Sequence, residues 1–139
     1  MTKFTLFFVG AAFAGVAFAH HSPRSLYVMT ESQTVEGIVT EFRLGNPHAR
    51  IYLSVTNAEG QEESWMAEGG SRTILLRRGW TADLVRPGDR VRIEGQPSRD
   101  GSHVIHWETI HFPDGRELYG EDIDFSKIEE RRRLRRMSE

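Results

Sequence analysis

The residues richest in potential chemistry stand where an apolar leader ends, at Ala17-Phe18-Ala19-His20-His21. A cut after Ala19 makes His20 the first residue of the mature chain. Its free α-amino group and its imidazole then form a ready-made chelate for a borderline or soft metal such as copper. His21 follows at once, and His48 sits in a turn after Asn46-Pro47. A third nitrogen from His21 or His48 would complete a T-shaped copper site of the histidine-brace kind. The alternative is a polar start to an irregular arm, with His48 as a turn residue bonded to a backbone carbonyl.

Such a site needs export and a scaffold. Lys3 precedes a nearly unbroken apolar run from Phe4 to Phe18, with small residues at Ala17 and Ala19. This is the pattern of a secretory signal peptide over residues 1–19. A membrane-spanning helix needs about 20 apolar residues, and no second apolar stretch follows. The chain has 139 residues and no cysteine. That excludes disulfides, thiolate metal ligands and a thiol nucleophile. Export without cysteine suits the bacterial periplasm. The formal net charge of −2 argues against a nucleic-acid partner.

Residues 20–33 read as a polar N-terminal arm. Thr34 to Leu44 reads as a strand with imperfect alternation, in which Gly37 marks a bulge or a close backbone approach. After the Gly45-Asn46-Pro47 turn, Ile51, Leu53 and Val55 alternate with polar residues in a clean half-buried strand. A loop at Asn57–Gly60 leads to a third strand, Glu62 to Glu68. Ser71 is placed to N-cap a short helix over Arg72 to Arg78, and Gly79 suits the left-handed position that ends it. Trp80 should fold back on Leu75 or Leu76. Arg86-Pro87-Gly88-Asp89 turns into a strand around Val91 and Ile93. A fifth strand runs from about His103 to Phe112, closed by Pro113-Asp114-Gly115.

Three strands, a short helix and two more strands predict an all-β fold with one short helix. The arrangement is that of an OB-like five-stranded Greek-key barrel over residues 34–118. An open five-stranded sheet capped by the helix is the alternative; closure is favoured because it removes exposed edges. Residues 119–139 read as a charged helical tail with a thin apolar stripe. Its arginine run could meet anionic lipid or a cell-envelope protein partner.

Other residues allow weaker chemistry. Arg77 and Arg78, with Trp80 and Trp65, could bind a small anion or a sugar. Against this stand a solvated helix face, paired with acids such as Asp83, and a core-and-rim role for the tryptophans. On the fifth strand, alternation predicts His103 and His111 on one face and His106 on the other. His103 and His111 are too far apart to share an ion, and His106 suits a satisfied core position. No nucleophile elbow, His-Glu-x-x-His or phosphate loop is present. A binding module is therefore expected in preference to an enzyme.

Together, His20-His21-Ser22, Asn46-Pro47-His48, Leu76-Arg77-Arg78-Gly79-Trp80 and Pro87-Gly88-Asp89 resemble an uncharacterised bacterial family of small exported proteins, a domain of unknown function. The likeness runs from His20 to about Arg116, through Trp65, Asp100-Gly101 and Pro113-Asp114-Gly115. Pro23 stands where that family usually has an aromatic, and Leu44 or Gly45 where it often has Trp. The resemblance implies export and a small β-barrel, and supplies no activity.

Overall fold

The computed structural model describes residues 23–120 together with Arg133, Arg136 and Met137. The expected leader, His20, His21 and most of the tail lie outside the described residues. The elements are α1 (Pro23–Leu26), β1 (Gln33–Arg43), β2 (Arg50–Thr56), β3 (Glu62–Glu68), α2 (Arg72–Arg77), β4 (Arg90–Pro97), β5 (Val104–His111) and β6 (Glu117–Tyr119). Among the described residues no helix is long and apolar enough to cross a membrane.

Antiparallel pairings run β3-β2-β1-β4-β5-β6, and a parallel β3–β5 pairing closes the first five strands into a barrel. Alternation explains the core. Along β4, Val91 and Ile93 are buried while Arg90 and Arg92 are exposed. Ile51 and Leu53 of β2 point the same way, and Ile105, Trp107, Ile110 and Phe112 complete the packing.

Two bulges reset that alternation. In β1, Val39 pairs with Leu53 and Glu41 with Tyr52, so Thr40 is the extra residue. The inward set therefore changes from Val35 and Val39 to Phe42 and Leu44. Gly37 does not bulge: a Cβ there would lie 2.5 Å from the Ser54 carbonyl oxygen. It answers to close approach alone. In β5, Gly95 pairs with Trp107 and Glu94 with Thr109, leaving Glu108 as the extra residue. The inward set changes from Ile105 and Trp107 to Ile110 and Phe112. His111 thus leaves the core-facing side on which strict alternation had placed it.

The helix forms as its caps dictate. Ser71 Oγ accepts the Ile74 amide, contributing about 1 kcal/mol. At the other end Gly79 takes φ +83°, the Trp80 amide donates to Leu75 O, and the Gly79 amide donates to Leu76 O. This is a Schellman ending. It turns Trp80 into the core beside Leu75, whereas Leu76 stays exposed.

Strand β6 was not expected from the sequence, and the boundary expected at residue 119 falls inside it. β3 pairs only with Val104–His106 of β5. The remaining edge, Thr109–His111, is taken by β6, so no long edge of β5 stays open.

Candidate functional site

His48 lies in the loop between β1 and β2, just after the cis Asn46–Pro47 peptide. That loop is tied to the end of β3. The Ala49 amide donates to Gly70 O at 2.8 Å, and the Gly69 amide donates to Ala49 O at 3.0 Å. His48 Nδ1 lies 3.1 Å from the Gly69 carbonyl oxygen. A carbonyl only accepts, so Nδ1 carries the proton in this bond. In the neutral ring Nε2 then holds a lone pair on a half-buried side chain. Metal-binding imidazoles are commonly oriented by this kind of second bond.

Gly69 is required here by packing. A Cβ at this position would run into the indole of Trp107, which stacks on Trp80 with ring centres 5.8 Å apart. Bare backbone therefore lies against the ring, and its carbonyl is held towards His48.

The N-terminal arm ends at the same corner. Tyr27 is 4 % exposed, and its hydroxyl donates to Glu68 Oε1 at 3.3 Å. Arg50 Nε donates to Glu68 Oε2 at 3.1 Å. The Tyr27 ring lies 5.1 Å from that of His106 and covers it. The backbone is fastened as well, Val28 N to Pro97 O and Arg99 N to Leu26 O, each at 2.9 Å. Burial, reinforced by the Glu68 charge, pushes the Tyr27 hydroxyl far above the usual phenol range. The sequence reading of a polar, irregular arm missed this latch. Its signal was the apolar run Leu26-Tyr27-Val28-Met29 within otherwise polar surroundings.

The remaining candidates do not converge. Trp65 stacks on His103 with ring centres 4.6 Å apart and planes 6° apart. Its Nε1 donates to Glu63 at 3.3 Å. Hydrogen bonds from Asn57 and then Trp65 hold the Glu63 carboxyl below its ordinary range. Trp80 is buried in the core and cannot offer a face to a sugar. Arg77 is exposed, while Arg78 Nη1 donates to Gly120 O at 2.9 Å. Asp83 pairs with Arg86, and Glu68 with Arg50. Among the described residues no group of three His, Asp or Glu side chains is placed to hold a metal ion.

A barrel of five strands in the order 1-2-3-5-4-1, closed by the parallel β3–β5 pairing with a helix between β3 and β4, is an OB-fold. The chain belongs to the family of unknown function DUF6152, whose model matches residues 9–105. No curated protein matches the chain. Among solved structures, a mitochondrial single-stranded DNA binding protein of S. cerevisiae, Rim1, is similar at 13 % identity with a TM-score of 0.45. That match covers 60 % of this chain and 93 % of that one.

Proposed function

We propose that this chain is an exported, periplasmic binding module that takes a transition metal, copper first, at its mature amino terminus. His20 would supply amine and ring nitrogens, and His21 or His48 the third nitrogen. The observation that carries this reading is the His48–Gly69 bond, which leaves Nε2 as the basic nitrogen. The Tyr27 latch supports it, because it brings the arm to Glu68, the residue next to Gly69.

The test is calorimetric copper titration of the chain beginning at His20, its terminus verified by intact mass. One extra residue before His20 should lower affinity about 100-fold or more, since it removes the amine-imidazole chelate. His48→Ala should lower it about 10- to 100-fold. Equal affinity with and without the extra residue would refute the brace. The reading left standing would then be an envelope interaction module, supported by exposed Ile74 and Leu76 on α2.

A further inference from the structure

A cleft of about 400 Å³ opens where β4 begins and β5 ends, and it shares no residue with the His48 corner. Val91 and Phe112, both buried in the core, give it an apolar base. Arg90, Arg92 and Arg116 stand around that base, with Glu36 of β1 and Glu117 of β6. The bulge at Glu108 produces this mixture, because it turns Phe112 inward beside the outward-facing ends of the neighbouring strands.

The turn after β5 fixes Arg116 in place. Gly115 takes φ +86°. The Phe112 amide donates to Arg116 O at 2.9 Å, and the Gly115 amide to Phe112 O at 3.0 Å. The Asp114 carboxylate accepts from the Arg116 amide at 3.0 Å and from its Nε at 2.8 Å. The guanidinium carbon then lies 4.2 Å from the centre of the Phe112 ring. Only Nε is spent in this contact, so both Nη groups remain as donors. Arg90 and Arg92 are each held through Nη1, to Glu36 at 3.3 Å and to Glu94 at 3.0 Å. All three arginine side chains are about half exposed, and ion pairs in such settings are weak. They orient the guanidinium groups and leave most of their N–H donors unspent. Glu117 is already engaged on both oxygens: His111 Nδ1 lies 3.1 Å from Oε1, and the Tyr119 hydroxyl donates to Oε2.

We propose that this cleft binds a small monocarboxylate with an apolar body, an aromatic ring or a short alkyl group. The body lies against Val91 and Phe112, and the carboxylate accepts from Arg90 and Arg116. A planar guanidinium fork matches a carboxylate in particular. Glu36 on the rim disfavours a second negative charge. The same chemistry occurs at the carboxyl end of a peptide. A volume near the lower end for ligand cavities suits a free acid better.

The test is titration of phenylacetate into the isotope-labelled full chain, followed by amide shifts at about pH 7, where carboxylate and arginine are both charged. Saturable shifts are expected at Val91, Phe112 and Arg116, in the millimolar range usual for a ligand of this size. Phenylacetamide lacks the charge and acetate lacks the ring, and each should bind at least about tenfold more weakly. Arg90→Gln and Arg116→Gln alter exposed side chains, and each should weaken phenylacetate about tenfold. The absence of saturable shifts at these residues would overturn the site. So would phenylacetamide or acetate binding as tightly as phenylacetate, or wild-type affinity in both variants. Binding of the peptide Gly-Gly-Phe at least about tenfold tighter than phenylacetate would overturn the assignment to a free acid.

Discussion

Two histidines of this barrel sit in opposite electrostatic settings. His48 points Nδ1 at a neutral carbonyl, Gly69 O. His111 has a carboxylate against each nitrogen. The same side chain thus faces one neutral acceptor in one place and two carboxylates in the other. What differs is the number and charge of the groups beside the ring. The two regions meet on one indole: both Gly69 and Gly120 lie so close to Trp107 that neither leaves room for a Cβ.

Gly69→Ala should break the comparison most severely. The added methyl meets the buried Trp107 ring, and overpacking of this kind costs about 2–3 kcal/mol. For a domain of this size that is a fall in Tm of about 10 °C or more. Calorimetric melting would measure it, with unchanged stability counting against the packing account. The displaced carbonyl should also release His48, which the loss of its distinct ring N–H signal would report.

A crossed pair of variants sharpens the comparison. His48→Ala should weaken copper binding about 10- to 100-fold. His111→Gln should leave copper binding unchanged. Copper titration calorimetry on both proteins would read this, and weaker binding in both would mean that the two regions are not independent.

Tyr27→Phe should have the smallest effect. It removes one hydrogen bond to a buried carboxylate, worth about 1–2 kcal/mol. It should also change the alkaline response. The docked hydroxyl resists ionisation, whereas a released tyrosine ionises near pH ~10. Arm docking is therefore fully supported below that pH and weakens as pH rises above it in the wild type. The variant has no hydroxyl to ionise, so this dependence should vanish. Limited proteolysis of residues 23–30 across alkaline pH would show it, and identical profiles would refute the latch.

Much of the scaffold was legible because its signals are local. Ser71 and Gly79 announce both ends of α2, and a residue's capping preference depends on its immediate neighbours. Clean alternation in β2 and β4 marks the core face directly. The three-strand, helix, two-strand order was enough to reach the barrel topology. The bulges were harder. Glu108 differs in no local way from an ordinary exposed strand residue, yet it moves His111 to the other face. β6 was invisible for a similar reason. Glu117-Leu118-Tyr119 is too short to show a period, and it is a strand only because half of the β5 edge stands open beside it.

The candidate site divides in the same way. Sequence alone singled out His20, His21 and His48 as candidate nitrogen donors and placed His48 in a loop. It also recognised Arg77 and Arg78 as the end of a helix and Trp80 as the residue that folds back behind it. Tertiary structure alone decided which acceptor each imidazole faces and which rings are buried. His48 and the carbonyl that orients it are 21 residues apart, and the carboxylates around His111 come from two other strands. A side chain's donor and acceptor types are written in its identity, but its protonation answers to groups about 3 Å away, and only folding brings those together.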